Sequence, residues 1–253
     1  MGMKNRVGEV SFNTNGSKMI IINYRKAIDI DVLFEDSGYI AKNKRYSTFK
    51  TGEIKNPFDR SVYGIGFLGE GKYTPTIGNK ITEQYRAWRD MLNRCYSESR
   101  LKKFPSYRGC IVCDEWHNFQ NFAKWYHENF YKVDGEVMCL DKDILIKNNK
   151  VYSPETCVFV PNCINTLFIG SNATRGECFK GVTWHKRDKV YQARCNNRGE
   201  LVHIGSYITQ EEAFKKYKEY KENLIKEIAN EYKYKISRRL YEAMYNYKVE
   251  KED

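Results

Sequence analysis

The chain has 253 residues, a formal net charge of +11 and a 15% aromatic content. So many aromatic residues argue against a disordered protein, and the chain has no run of about 20 apolar residues that would predict a membrane span. The length allows two or three small domains. Basic and aromatic residues interleave in strand-like runs, which favours binding to a phosphate backbone over a merely basic surface.

The cysteines indicate a reducing compartment. No secretory signal is visible at the N-terminus, so we expect a cytosolic protein whose eight cysteines are reduced thiols. Cys110 and Cys113 form a CxxC pair that Cys139, Cys157 or Cys163 would have to complete as a zinc site. A second paired knuckle is missing, so we do not expect zinc.

Residues 1–72 are rich in strand signals. Residues 19–24 form a strongly strand-like run. Residues 28–34 alternate apolar and polar side chains, which predicts a strand with one buried face. We expect a turn at 36–38, a further strand at 46–50, and a turn with a short edge strand at 51–57. This spacing is typical of a small β barrel or open sheet of the Src-homology-three type. Such a domain either docks a protein or nucleic-acid partner or packs passively.

A glycine-rich stretch at 63–71 separates this part from a helical one. No Gly-Lys-Ser/Thr follows it, so it does not predict a phosphate-binding loop, and we interpret it as a linker or a bulged strand. From Thr82, apolar residues recur at helical spacing, as they do again over residues 115–130. A strand around Cys110 lies between the two helices. His117 and His127 fall in the second stretch, where packing or surface positions are the ordinary interpretation.

The centre of the chain carries a spaced set of polar residues. Asp141 follows a short apolar run, Asn149 lies in a polar connection, residues 158–160 form a second apolar run, and Asn165 opens a helix. This arrangement, with the helices before it, resembles the HNH nuclease fold of bacteriophage homing endonucleases over about residues 80–170. The resemblance implies a β-hairpin and a helix that together clasp one divalent ion, Mg²⁺ or Mn²⁺. By that resemblance Asp141 and Asn165 are the metal ligands.

The residue after the aspartate departs from the HNH pattern. Active HNH enzymes have a histidine there, which acts as the general base, and this chain has Lys142. A lysine ammonium is a poor base at neutral pH unless burial or nearby positive charge lowers its pKa. Asp141 and Asp143 lie two residues apart on a strand and so share a face where they can hold a metal together. Lys142 and Asp143 are therefore the candidate catalytic residues, with His117 or His127 as alternative bases through space. The other interpretation is a hairpin that no longer cleaves DNA.

Residues 179–217 read as three short strands followed by a helix. Residues 181–184, 190–195 and 201–205 are the strands, and Thr209 is an N-cap with Glu212 as its capping-box partner. These roughly 40 residues resemble the sheet-plus-helix DNA-binding domain of plant ethylene-response factors, an APETALA-like domain that bacteriophage endonucleases also carry. The resemblance implies that one sheet face enters the DNA major groove.

Strand alternation then assigns the two sheet faces. We expect Val182, Tyr191, Ala193, Cys195, Val202 and Ile204 to face the helix. The face expected to meet DNA carries Lys180, Trp184, Gln192, Arg194, Asn196 and His203. By resemblance Gln192, Arg194, Asn196 and His203 contact bases or backbone, since Arg, Asn and Gln read base edges. Phosphate contacts are expected from Arg175, Lys186, Arg187, Lys189 and Arg198. The plant family has an arginine where this chain has Thr183, so its base preference does not carry over. The alternative is a solvated basic face.

The sequence therefore predicts a multidomain α+β protein. Its expected parts are a small β barrel or sheet (1–72), an HNH-like ββα-metal domain with flanking helices (73–172), and a three-stranded antiparallel sheet with helices (173–253). The expected partner is double-stranded DNA, in the cytoplasm of a bacterial host and with no membrane, and the N-terminal domain is a possible site for a protein partner. The function is either metal-dependent nicking of DNA or binding without cleavage.

Overall fold

The computed structural model describes residues 5–169 and 178–251. These residues form an α+β protein with several separate sheets. The strands are β1 (Val10–Phe12), β2 (Lys18–Lys26), β3 (Asp29–Phe34), β4 (Ile40–Lys44), β5 (Thr76–Ile77), β6 (Lys80–Ile81), β7 (Ile111–Val112), β8 (Met138–Asp141), β9 (Val151–Tyr152), β10 (Val158–Pro161), β11 (Val182–His185), β12 (Val190–Asn197) and β13 (Glu200–Tyr207). The helices are α1 (Tyr46–Lys50), α2 (Glu83–Tyr96), α3 (Glu98–Lys103), α4 (Phe119–Asn129), α5 (Asn162–Phe168), α6 (Gln210–Tyr232) and α7 (Arg238–Tyr245).

The chain divides into two compact units. The first takes in the described residues up to Glu128 together with Lys150–Ser153. The second takes in Asn129–Asn149 and the described residues from Pro154 onward. A compact unit can contain more than one domain, so the three-domain division at 72 and 172 stays a prediction.

The first unit begins with a four-stranded antiparallel meander, β1-β2-β3-β4. Ile30, Val32 and Phe34 are fully buried, which confirms the buried face predicted from the alternation in residues 28–34. Among the described residues β1 and β4 are the outer strands and do not pair with each other, so the sheet is open. The barrel form of the prediction is not confirmed.

Two elements predicted near this sheet were wrong. Residues 46–50 form helix α1, not a strand. Tyr46 and Phe49 are three residues apart and so share a helix face, where their rings stack 6.1 Å apart with Phe49 fully buried. Packing of this face against the core overrides the strand propensity of the sequence Tyr-Ser-Thr-Phe. The edge strand expected at 51–57 is a turn and irregular chain that buries Ile54, and strand β4 was missed.

The helical part of the first unit has an aromatic core in which Trp88, Trp116, Phe119 and Phe122 are fully buried. The helix expected over residues 115–130 is interrupted because Asn118 is extended and its Oδ1 accepts the N–H of Gln120, which makes Asn118 the N-cap of α4. The glycine-rich stretch packs closely here. A Cβ at Gly66 would lie 2.8 Å from the Trp88 ring, so the glycine permits a contact that a larger residue would prevent.

The second unit contains the ββα segment and the C-terminal sheet. Strands β8 and β10 pair antiparallel, with Asp141 opposite Val158, and α5 follows β10 directly. Strands β11-β12-β13 form an antiparallel sheet, followed by α6 and α7. One hydrophobic core joins these parts, because it contains Val158, Val160 and Ile164 from the ββα segment as well as Val182 and Ala193 from the sheet. Thr209 caps α6 by accepting the N–H of Glu212, as predicted.

The approach of the sheet to α6 depends on Gly181. This residue has a φ of +73°, and a Cβ built on it would lie 2.2 Å from the Tyr217 ring. We expect Gly181→Ala to cost about 2–4 kcal/mol of stability, because the ring or the strand must move and the left-handed backbone adds strain. Urea unfolding of the full chain measures this.

Gly135→Ala is the matched control. Gly135 lies in the same unit with a φ of +78° and open space around its Cβ position. An alanine at this position has the same backbone strain but no clash, so Gly135→Ala should lower the free energy of unfolding by only about 1 kcal/mol. Equal losses in the two variants would contradict the close approach at Tyr217.

Candidate functional site

Strand register determines which side chains of the C-terminal sheet share a face. Thr183 on β11, Gln192 on β12 and Ser206 on β13 lie opposite one another across the three strands. Arg194 pairs with His203, and a bulge between Ala193 and Arg194 shifts the register of β13. Opposite residues in a ladder point to the same side, so these side chains and Asn196 form one face, here called the outer face. The other face packs on α6 through Val182, Ala193 and Cys195, as predicted.

The outer face has an exposed polar centre. Arg194, His203 and Asn196 are exposed, which agrees with the outward position expected from strand alternation. Arg194 Nη2 donates to Gln192 Oε1 at 2.6 Å, while Gln192 itself is only 9% exposed. Asn196 Oδ1 accepts the N–H of Gly199 at 2.9 Å and so closes the β12–β13 turn. Arg194 and His203 are therefore the side chains best placed to reach outward.

Two residues predicted for this face lie elsewhere. Trp184 pairs with Tyr191, and their rings are 4.7 Å apart, so Trp184 shares the face of Val182. The assignment was wrong because residues two apart on a strand point the same way. Lys180 is only 8% exposed. Burial raises the pKa of the Cys195 thiol, and the positive charges of Lys221 and Lys180 partly offset that rise. Lys180 therefore belongs to the helix side.

Sequence reasoning also missed two outer-face residues, Thr183 and Ser206, which are both exposed. Strand alternation could have identified Thr183, because adjacent residues on a strand point to opposite faces and Val182 points to the helix. The departure from the plant family at Thr183 therefore falls in the middle of the face expected to read DNA.

The two turns of the sheet carry the remaining predicted cations. Lys186, Arg187 and Lys189 are exposed in the four-residue connection between β11 and β12. Arg198 and Gly199 form the two-residue β12–β13 turn with φ values of 53° and 95°, and Arg198 pairs with Glu231 on α6. Exposed ion pairs of this kind are weak, so Arg198 can exchange partners at little cost. Arg175 lies outside the described residues.

Charge over residues 179–207 is strongly positive. The two acidic residues are Asp188 and Glu200. The basic residues are Lys180, Lys186, Arg187, Lys189, Arg194 and Arg198. Asp188 lies 3.2 Å from His185 Nδ1 and 3.6 Å from Arg187 Nε, which leaves the neighbouring lysines of the turn to dominate the local field.

In the segment compared with the HNH fold, β8 pairs with β10, β9 lies between them in the chain, and α5 begins at Asn162, three residues before the Asn165 expected to open it. Asp141 ends β8, and the half-buried Asn165 lies within α5. Asp141 Oδ1 accepts the N–H groups of Asp143 at 2.9 Å and Ile144 at 2.7 Å, so the carboxylate shapes the turn after β8. Burial, followed by repulsion from the Asp143 carboxylate, raises the pKa of Asp141 to about 6 from an ordinary value of 3.8.

Lys142 closes the loop between β8 and β10. Its side chain is buried, and Nζ donates to Asp143 Oδ2 and to the carbonyl oxygen of Asn149, both at 2.8 Å. In return, Asn149 Nδ2 donates to the carbonyl oxygen of Lys142 at 2.7 Å. The Asp143 carboxylate beside Nζ favours the protonated ammonium, which has no lone pair with which to take a proton from water.

The other candidate bases lie in the first unit. His117 Nε2 is 3.1 Å from the carbonyl oxygen of Val112, and His127 stacks on Tyr73 with ring centroids 5.1 Å apart. Both histidines thus have packing roles in their own unit. Across the described residues, no group of three or more His, Cys, Asp or Glu side chains is placed to hold a metal ion.

Comparisons with known proteins add no relative. No protein-family model matches the sequence, and neither the curated proteins nor the solved structures give a match. No helix among the described residues is both long and apolar enough to cross a membrane.

The raised pKa of Asp141 predicts a pH dependence of stability. Between pH 3.8 and about 6 the folded carboxyl holds a proton that the unfolded one has lost, so this group lowers stability as pH rises through that window. Asp141→Asn keeps an acceptor oxygen for the two N–H groups and removes the charge. We expect the free energy of unfolding of the variant to exceed that of wild type by on the order of 1–3 kcal/mol at pH 7.5 and to equal it at pH 4.

Urea unfolding at several pH values with EDTA present measures that difference. Asp188→Asn is the control, because Asp188 is 54% exposed in the turn. A constant difference between Asp141→Asn and wild type across the pH range would contradict the burial of the carboxylate.

Proposed function

We propose that this chain binds double-stranded DNA through the outer face of the β11–β13 sheet. The observation that carries this proposal is the pair Arg194 and His203, exposed side by side on adjacent strands of a sheet whose β11–β12 turn exposes Lys186, Arg187 and Lys189. An arginine fork on a rigid strand is suited to the O6 and N7 edge of guanine. The turn lysines and arginines are suited to the phosphates on either side, which add affinity without sequence information.

The rigidity of the face supports this role. Arg194 is oriented by Gln192, which the surrounding side chains bury, and the sheet itself is held by the core it shares with α6. A side chain that is already oriented loses less entropy on binding than a free one. Thr183 and Ser206, opposite Gln192, are small polar side chains that leave room for a base edge at the centre of the face.

We further propose that the ββα segment serves as a scaffold and does not hydrolyse DNA. Lys142 stands where the HNH pattern has its base, and its ammonium donates to Asp143 and Asn149. Asp143 is in turn engaged as the partner of that ammonium. A buried ammonium with two acceptors favours a loop-closing role over proton transfer.

The second candidate is a metal-dependent nickase, favoured by the position of Asp141 and Asn165 on adjoining elements of a ββα segment. One carboxylate and one amide oxygen fit Mg²⁺ or Mn²⁺, since Mg²⁺ usually keeps several of its waters. Asp141 Oδ2 and Asn165 Oδ1 would hold the ion, which when bound lowers the pKa of a coordinated water. Because the pKa of Asp141 is raised to about 6, a proton would compete with the metal for this carboxylate below that pH.

The setting and a protein partner are further parts of the proposal. All eight cysteines are free thiols, and both resemblances involve bacteriophage endonucleases, so we place the activity in the cytoplasm of a bacterial host.

The N-terminal sheet is the proposed surface for a protein partner, since its edge strand β1 exposes Val10 and Phe12.

Fluorescence anisotropy with a labelled duplex tests the DNA proposal. Arg194→Ala should weaken binding to a preferred duplex by about tenfold and reduce discrimination between sequences, since a good bidentate contact is worth about 1–3 kcal/mol. Lys189→Ala should weaken all duplexes alike and lower the salt slope by about 0.9.

Arg238→Ala is the control for charge alone, because Arg238 is 91% exposed on α7 and forms only a surface pair with Glu242. It should change affinity less than twofold. Equal losses in Arg194→Ala and Arg238→Ala, or binding that does not respond to salt, would contradict an interface on the outer face.

A further inference from the structure

A large cavity lies within the second unit, away from Asp141, and it reaches the outer-face residues Arg194 and Asn196. Its volume is about 770 Å³, which is in the range of small-molecule sites. It lies at the edge of β12, where β11 no longer pairs with that strand, and helices α5 and α6 supply its other walls. The side chains that matter here are Lys180, Lys221, Cys195, Tyr217, Leu167 and Ile228.

The cavity contains a buried cation without a counter-ion. Lys221 is 6% exposed, and among the described residues neither a carboxylate nor a hydrogen-bond acceptor is found next to its Nζ. It occupies the buried stripe of α6, one turn after Tyr217 and three residues before Leu224. Lysine is rare in such a stripe because burying an unpaired ammonium is costly. Its presence at the wall of a cavity therefore indicates a ligand.

A second buried lysine shares the cavity. Lys180, which lies just before β11, is 8% exposed and lines the cavity together with Lys221 and Cys195. Burial lowers the pKa of Lys221, as expected for an ammonium that lacks a carboxylate. Arg194 and Arg198 also line the cavity. Among its described lining residues the one acidic side chain is Glu136, which already accepts from Tyr232 Oη at 2.8 Å.

We propose that this cavity binds a phosphate monoester with an apolar or aromatic body, such as a nucleoside monophosphate. The described lining carries four basic side chains and one acidic one, and this excess of positive charge suits a phosphate monoester, about −1.5 to −2 at pH 7, better than a single carboxylate. Lys221 and Lys180 bind the phosphate, and Leu167, Ile228 and the Tyr217 ring contact the body. The ligand is either a free nucleotide or the 5′-phosphorylated end of a DNA strand. The site does not depend on the outer face binding a duplex.

Isothermal titration calorimetry of the full chain tests the site. Thymidine 5′-monophosphate should bind at least tenfold more tightly than thymidine, which lacks the phosphate. A single-stranded trinucleotide with and without a 5′-phosphate distinguishes the two sources. Tighter binding of the phosphorylated trinucleotide than of the mononucleotide assigns the site to a DNA end. Tighter binding of the mononucleotide assigns it to a free nucleotide. Equal binding of monophosphate and nucleoside, or no binding of any of these probes at 10-fold molar excess and about millimolar concentration, overturns the proposal.

Substitutions then locate the bound phosphate. Lys221→Met should weaken thymidine 5′-monophosphate binding at least tenfold, and Lys221→Arg should keep most of it. Lys215→Met, at an exposed position of the same helix, should leave it unchanged. Unchanged binding in Lys221→Met overturns the proposal, and Lys180→Met supplies the same test if Lys221→Met does not fold. Duplex affinity measured on the same preparations separates this result from the fate of the DNA proposal.

Discussion

The second unit depends on one hydrophobic core that joins the ββα segment to the C-terminal sheet. Helix α6 supplies much of it, with Ala213 and Tyr217 near the sheet and Ile225 and Ile228 further along. Burial of this apolar surface is the main favourable contribution to folding, and it fixes the sheet and the hairpin as one body. The outer face is therefore presented to a ligand by a rigid support. A change that loosens α6 should disturb both the outer face and the loop after Asp141.

Two buried lysines of this unit, Lys142 and Lys221, differ in whether their ammonium groups have hydrogen-bond acceptors. Lys142 is buried with two acceptors and stabilises the loop that it closes. Lys221 is buried with no acceptor among the described residues and lines a cavity. The same side chain type thus favours a structural role in one place and a binding role in the other. The difference lies in the compensation of the ammonium charge, since an uncompensated buried charge costs several kcal/mol.

Local sequence patterns predicted the regular elements well. The alternation in β3, the helical spacing in α2 and the Thr209 cap of α6 each depend on residues close together in the chain, so the sequence alone carries them. Residues 46–50 were misassigned because their helix is stabilised by burial of Phe49 in a distant core, which no local pattern encodes. The break at Asn118 was missed because an asparagine within an apolar period is also tolerated inside a helix.

The candidate site was predictable in outline but not in its contacts. Strand alternation predicts the residues that share a sheet face with Arg194. Trp184 was misassigned because it lies two residues from Val182 and therefore points to the same face as Val182. Gln192 and Lys180 look like any polar strand residues in the sequence, and their burial depends on cross-strand neighbours and on α6. The pairing of Lys142 with Asn149 required knowledge of how the loop folds back over seven residues. Such contacts arise from tertiary structure.

The most direct test of this account is a supercoiled-plasmid assay with Mg²⁺ or Mn²⁺, run on wild type and on Asp141→Ala at equal purity. A gel-shift on the same preparations reports DNA binding. The account predicts salt-sensitive binding by both proteins and no conversion of plasmid to the nicked form by either. Metal-dependent nicking by wild type that is lost in Asp141→Ala would contradict it and would establish a nuclease that works without the usual histidine.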